Sequence, residues 1–306
     1  MEAEHVMKLL RSLDSIDKDY RVFSDGDSVF IPLKEGSEGL PGIRAVDIEG
    51  KPSRVRSLPS GTHGAFDMIG HVAITKMRNR ARAEQLAAWL MQRNGIIKSV
   101  YLDEGVTGEY RTRRLSLIAG EDRPETEYKE NGCSFIMDVR LVYFSPRLAT
   151  ERMLVAKSVS DEEKILDMFA GLGPFSINIA RIREAVITAV DSNPYAISYM
   201  KRSLAMNRLK GKITPILGDA GSEIKKMGMF NRIIMNLPHN AFQYLPVAIG
   251  HLSPGGVLNY YEILDQESLE TRMEQFRDMG FQLISKRVVH GYSPRESMFS
   301  LWLKMP

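Results

Sequence analysis

Residues 167–175, Asp-Met-Phe-Ala-Gly-Leu-Gly-Pro-Phe, hold the strongest chemical signal in the sequence. Apolar residues lead into the run, Gly171 and Gly173 permit a tight turn, and Pro174 stands where a helix would start. Asp191 follows 20 residues after Gly171, at the end of the next apolar run, 185–190. A buried strand, a tight turn and a helix start make a corner for a nucleoside, and an acid after the second strand can accept from both ribose hydroxyls. Ser176 stands where a dinucleotide fingerprint would have its third glycine, so the pattern is G-x-G-x-x-S. That departure weakens a nicotinamide dehydrogenase reading. S-adenosylmethionine has no pyrophosphate to cradle, and a site for it needs only a close backbone approach and the ribose acid.

Ligands in open α/β sheets sit beyond the carboxyl ends of the strands. Besides the glycine turn, Asp191-Ser192, Asp219-Ala220 and Asn236-Leu237-Pro238 fall there. Asp219 could accept from an adenine amino group, and Asn236 could present its amide to an acceptor base. Pro238 would stiffen the last loop while leaving backbone carbonyls free. Plainer readings stand beside these: Asp191 and Asp219 are both suited to cap helices. Glu151, near Arg147 and Arg152, reads from spacing alone as a surface ion pair on a helix.

The elements that would position these residues follow from the apolar pattern. Runs at 164–169, 185–190, 213–217, 231–236 and 256–261 alternate with helical patterns, as in a doubly wound parallel sheet. Runs at 281–289 and 298–304 lie too close for a crossover helix and predict an antiparallel hairpin on the sheet edge. Upstream, a helix is expected over 6–13 and a hairpin around Asp25-Gly26-Asp27, then a Gly-, Pro- and Ser-rich linker over 35–63. A further unit should hold strands at 69–74, 99–102, 115–118 and 134–143 and a helix at 82–92. The expected division is 1–50 as a small N-terminal domain with linker, 60–150 as an α+β middle domain, and 151–306 as the cofactor-binding domain.

Composition narrows the class. The 306 residues are 43% hydrophobic and 26% charged, as in a globular protein. The single cysteine, Cys133, excludes an intrachain disulfide and a cysteine-based zinc site, and fits a reducing, cytoplasmic setting. The histidines at 5, 63, 71, 239, 251 and 290 lack ligand spacing, so metal-independent chemistry is expected. No apolar run approaches the ~20 residues of a membrane span, and Met1-Glu2-Ala3-Glu4 does not open a signal peptide. Net charge is only +3, but the basic residues cluster. Lys76, Arg78, Arg80 and Arg82 form one group, Arg111, Arg113 and Arg114 a second, and Arg202, Arg208, Lys210 and Lys212 a third. Such clusters suit a polyanion, or simply solvated helix faces.

Four motifs in order carry a resemblance: Gly-Glu-Tyr-Arg-Thr-Arg containing Arg111; residues 142–152 from Val-Tyr-Phe-Ser-Pro-Arg to Glu-Arg; the glycine turn; and Ile234-Met235-Asn236-Leu237-Pro238. Together the chain resembles the archaeal and eukaryotic type of tRNA (guanine-37-N1)-methyltransferase over essentially its whole length. Asp17-Lys18-Asp19-Tyr20 with Ile31-Pro32-Leu33 is similar to that family's small first domain. The resemblance implies a Rossmann-like class I methyltransferase domain with a mostly parallel sheet, preceded by α+β RNA-binding regions. It implies S-adenosylmethionine as donor and tRNA as substrate, engaged at the anticodon loop and, through the first domain, at the elbow. One polypeptide contains all the needed parts, so a monomer is expected. Glu151 would be the general base, Arg111 would stabilise oxygen 6, and Asn236 would hold the base edge, with Tyr143, Arg147 and Pro238 beside the nucleotide. Arg152, Phe169, Gly171, Gly173, Asp191, Ser192, Asp219, Ala220, Asn236 and Pro238 would line the cofactor pocket. Rival readings are an aminocarboxypropyl transferase of wybutosine synthesis, a methyltransferase that also acts on carbon 7 of a wyosine precursor, and a non-catalytic tRNA-binding protein.

Overall fold

The computed structural model describes residues 10, 15–17, 22–25, 28–34, 46, 66–108, 110 and 112–306. The chain divides into two compact units, 1–64 and 65–306. In the first, β1 (Phe23–Asp25) and β2 (Ser28–Phe30) pair antiparallel, with Phe23 opposite Phe30 and Asp25 opposite Ser28. That is the expected hairpin, and its turn residues 26 and 27 lie outside the described residues. An isolated bridge joins Ile16 to Leu33. The helix expected over 6–13 and the linker over 35–63 lie outside the described residues, except Leu10 and Val46.

In the second unit, β3 (Phe66–Ile69) and β4 (Val72–Thr75) form a hairpin where one strand was expected at 69–74. Gly70 makes the turn at φ +57°, and a Cβ there would stand 2.1 Å from the Glu127 carbonyl oxygen. Helix α1 (Arg80–Arg93) follows, capped by Asn79 and burying Ala83, Leu86, Ala87 and Leu90. β5 (Ser99–Thr107) and β6 (Thr112–Gly120) complete a sheet of order β3-β4-β5-β6, in which only β4 and β5 run parallel. A separate hairpin, β7 (Glu125–Glu130) and β8 (Cys133–Asp138), was not fully anticipated. The strand expected over 134–143 stops at Asp138, whose carbonyl accepts from the Leu141 and Val142 amides as the chain turns.

Helix α2 (Ala149–Ser158) leads into the main sheet. Its strands and helices alternate: β9 (Lys164–Asp167), α3 (Pro174–Ile182), β10 (Val186–Asp191), α4 (Pro194–Ala205), β11 (Lys212–Leu217), α5 (Ala220–Glu223), β12 (Phe230–Met235), α6 (Ala241–Ile249), β13 (Leu252–Leu264) and α7 (Gln266–Asp278). β14 (Gln282–Gly291) and β15 (Ser297–Lys304) close it as the expected antiparallel hairpin. The order is β11-β10-β9-β12-β13-β15-β14, parallel from β11 to β13, with β15 antiparallel to both neighbours. This is a Rossmann-like architecture, a parallel sheet extended at one edge by an antiparallel hairpin. Buried Ile165, Leu166, Ile233, Ile234 and Met235 on the central β9 and β12 give those strands two apolar faces, as a parallel sheet covered on both sides requires.

The core does not stop at residue 150. Tyr101, Phe135, Met137 and Phe144 share one buried cluster with Leu172, Ile177, Ala196 and Tyr199. The Ser134 and Ile136 amides of β8 donate to Asn207 (2.9 Å) and to the Ser203 hydroxyl of α4 (3.1 Å). The β7–β8 hairpin is therefore built onto the main sheet's helices.

Candidate active site

The chain leaves β9 for β10 on one side and returns to β12 on the other, so a crevice opens at the carboxyl ends of these strands. The glycine turn is stitched to both walls: the Met168 amide donates to the Ile234 carbonyl (3.0 Å) and the Ala170 amide to Val190 (2.9 Å). Gly173 is left-handed at φ +82°, and a Cβ there would lie 2.9 Å from Met200 Cγ. Gly171, at φ +55°, faces open space, which lets a ligand approach the backbone. Asp191 accepts from the Gly171 amide (2.7 Å) and the Asn193 amide (2.9 Å), and burial raises its pKa. The cap of α4 is Asn193, not Asp191, which removes the plainer reading of that acid.

A second acid lies beneath. Asp167 is buried, accepts from the Ser176 hydroxyl at 2.8 Å, and leaves Oδ1 without a partner among the described residues. Burial, with a smaller push from Asp191, outweighs the Ser176 hydrogen bonds and lifts its pKa to about 7. The folded chain then holds this proton more tightly than the unfolded chain. Its contribution makes stability fall as pH rises from near 3.8 to about 7. Asp167→Asn removes the titration, so the variant should gain thermal stability relative to wild type across that window. A gap between the two melting curves that stays constant with pH would refute this.

On the far side Phe169 meets Tyr244 edge-on, ring centroids 5.0 Å apart, and the Tyr244 hydroxyl reaches Asp219 at 3.5 Å. Asp219 caps α5, accepting from the Ser222 amide and hydroxyl at 2.9 Å each, so its capping role is realised. Ala220 is buried and Ser192 exposed. Asn236 is half-buried, and its Oδ1 has no partner among the described residues. The carbonyl of Pro238 is not free as expected: it accepts from the Ile263 amide at 3.0 Å, which ties the loop to β13.

Glu151 stands on α2 and is only 5% exposed. Its Oε1 accepts from the Tyr261 hydroxyl (2.9 Å), the Ser300 hydroxyl (2.7 Å) and Arg287 Nη2 (2.9 Å). This replaces the surface ion pair with Arg147 suggested by spacing; Arg147 instead pairs with Asp67 at 2.8 Å. Arg152 is fully buried and gives its guanidinium to Glu130 at 2.6 and 2.5 Å and to the Ser145 carbonyl at 3.1 Å. Tyr143 is half exposed under the Arg113 guanidinium, whereas its neighbour Phe144 is core. Arg111 lies outside the described residues.

This geometry coincides with a family pattern. Residues 126–287 match the model of the TRM5/TYW2 methyltransferase domain, residues 55–123 the TYW2 N-terminal domain, and residues 1–41 the tRNA methyltransferase 5 N-terminal domain. The chain belongs to the TRM5/TYW2 methyltransferase family. It is 35% identical to the tRNA (guanine(37)-N(1))-methyltransferase Trm5b of Pyrococcus abyssi, over 96% of this chain and 94% of that one. The crystal structure of that Trm5b superposes with a TM-score of 0.72 at 34% identity, covering 99% of this chain and 96% of the other. A complex of aTrm5 with tRNALeu gives a TM-score of 0.71 at 28% identity, covering 99% and 97%. The chain is thus an S-adenosylmethionine-dependent methyltransferase.

Several features of this TRM5/TYW2 methyltransferase were not visible in sequence. Tyr244, the hydrogen bond between Ser176 and Asp167, and the partners of Glu151 were not singled out. Asp167 did carry a signal, since it opens the glycine motif, whereas Tyr244 reads simply as part of an apolar helix. The basic clusters are also revised. Arg113 is buried against Asp67 at 3.3 Å, and Arg202 is held by Glu125 at 2.7 and 3.0 Å, so neither is a free phosphate contact. Lys76, Arg78, Arg82, Arg208, Lys210 and Lys212 remain exposed. Among the described residues there is no group of three or more potential metal ligands, and no helix is long and apolar enough to cross a membrane.

Proposed function

We propose that this protein methylates nitrogen 1 of guanosine at position 37 of tRNA. The near full-length similarity to Trm5b, a tRNA (guanine(37)-N(1))-methyltransferase, carries the proposal. The residues present fit S-adenosylmethionine. Among the described residues, two buried acceptors, Asp167 Oδ1 and Asn236 Oδ1, lack partners, and the space over Gly171 is open. Gly171, Gly173, Asp191 and Ser192 would hold the ribose side, and Phe169, Asp219 and Ala220 the adenine. Asn236 and Pro238 would border the reacting end. Arg152 supports the pocket through Ser145 and Glu130 rather than by reaching into it. The bound cofactor supplies an electrophilic methyl group on a sulfonium.

Guanine holds a proton on nitrogen 1, which makes that atom a poor nucleophile. Glu151 removes the proton as general base. Charge that shifts to oxygen 6 is met by the Arg111 guanidinium. Asn236 holds the base edge, half-exposed Tyr143 packs on the displaced nucleotide, and Arg147 steadies the same loop. Taking a loop nucleotide out of its stack costs a few kcal/mol. The N-terminal 1–50 region reaches the tRNA elbow, the 60–150 region frames the nucleotide, and 151–306 performs the transfer. The protein acts as a cytoplasmic monomer on the anticodon loop. An unmodified tRNA transcript incubated with protein and S-adenosylmethionine, then digested for nucleoside mass spectrometry, should yield 1-methylguanosine from position 37. An aminocarboxypropyl mass increment, or a methyl group elsewhere, would overturn the proposal.

A further inference from the structure

Tyr261, Ser300 and Arg287 lie on three adjacent strands and form one cross-strand row, because Ser300 is in register with Tyr261 on β13 and with Arg287 on β14. Residues opposite one another in this way present side chains to the same face. All three converge on one carboxylate, that of Glu151. Their distribution between its oxygens is uneven. Oε1 takes three donors at 2.7 to 2.9 Å, which saturates it. Among the described residues Oε2 receives only Arg287 Nε, at a long 3.4 Å. A carboxylate has about four lone-pair sites, so its remaining capacity lies on Oε2.

We propose that Tyr261, Ser300 and Arg287 are a clamp that immobilises Oε1 and leaves Oε2 as the proton-accepting oxygen, with Arg287 as a positioning residue for the base. The inference rests on Glu151 being the general base. In the step, the N1–H bond of guanine breaks, its electron pair stays on nitrogen, and the proton forms an O–H bond at Oε2. Oε1 keeps its hydroxyl donors in the resulting acid. Arg287 loses its counter-charge at that moment, but its side chain is 30% exposed and its guanidinium lies 4.3 Å from the centre of the Trp302 ring. Water and the π face can hold the cation while Glu151 is neutral. Among the described residues, the charged or titratable groups against the carboxylate are Arg287 from β14 and Tyr261 from β13. Burial first, and then the Glu151 charge, raise the Tyr261 pKa well above its ordinary value, so it stays a donor throughout.

The test is the pH profile of single-turnover methylation for wild type, Arg287→Gln, Arg287→Lys, Tyr261→Phe and Glu151→Gln. Donor and tRNA affinities are measured alongside. Removing a cation or a donor from a carboxylate favours its protonated form, so the acid limb should move to higher pH. The limb should move furthest in Arg287→Gln, less in Tyr261→Phe, and be partly restored in Arg287→Lys. Affinities should change by less than about threefold. Tyr261→Phe removes one oxygen atom, which keeps the test open should Arg287→Gln fold poorly. An acid limb that disappears in Glu151→Gln but is unmoved in the clamp variants would overturn the clamp alone. A wild-type rate and limb in Glu151→Gln would overturn the base assignment, and the clamp with it.

Discussion

Glu151→Gln is expected to lower the single-turnover methylation rate by ~10²–10⁴-fold, the usual contribution of a positioned base. The substitution keeps the length of the side chain and a hydrogen-bonding end but removes basicity. An amide oxygen can still accept from Tyr261 and Ser300, which donate to Oε1 at 2.9 and 2.7 Å, so the local frame survives. The ion pair with Arg287 is lost, and its guanidinium turns to solvent. Affinity for tRNA and donor should change by less than about tenfold, because little ground-state contact with either is lost. The discriminating measurement is single-turnover rate against affinity. A rate close to wild type would transfer proton removal to solvent or another group and reduce Glu151 to a structural ion-pair partner.

Arg152→Met is expected to cost about 3–5 kcal/mol of folding stability, the range for breaking a buried ion pair from one side. Glu130 would be left buried with its charge uncompensated, since its other partner among the described residues is the neutral amide of Asn178 at 3.1 Å. Glu130 lies on β7 and Arg152 on α2, so the pair fastens that hairpin to the helix carrying Glu151. The double variant Arg152→Met with Glu130→Leu should recover most of the loss, because no orphan charge remains. Urea denaturation of the two single variants and the double variant measures this directly. A loss under about 1 kcal/mol for Arg152→Met would mean that the guanidinium is not committed to Glu130, which would restore it as a candidate cofactor ligand.

The main sheet was legible because parallel strands covered on both faces must be apolar throughout, and the runs feeding β9, β10 and β12 are. β7 was hidden for the opposite reason: Glu125, Glu127 and Glu130 make it look like a solvated segment, although Thr126 and Glu130 are buried. The break between β3 and β4 was missed because two residues, Gly70 and His71, separate apolar stretches that read as one. The glycine corner could be located because its parts are close in sequence. The surroundings of Glu151 could not, since its partners lie 110, 136 and 149 residues away. Local spacing offered Arg147 and Arg152, which the fold directs to Asp67, 80 residues distant, and to Glu130, 22 residues distant. Arg113 misleads in the same way: a basic run suggests surface, and a distant acid draws one member inside.

Cys133 gives this architecture a built-in reporter. It is the only cysteine of the sequence, it is 1% exposed on β8, and its Sγ lies 3.9 Å from the Ile177 carbonyl oxygen of α3. Burial pushes its thiol up to about 11, so in the closed state it is shielded both from solvent and from ionisation. Alkylation of this thiol therefore requires the β7–β8 hairpin to lift from the helices beneath it. The rate at which a small thiol reagent is consumed counts those openings, without mutation or label. Comparing that rate with and without tRNA would show whether adding tRNA suppresses this opening or promotes it.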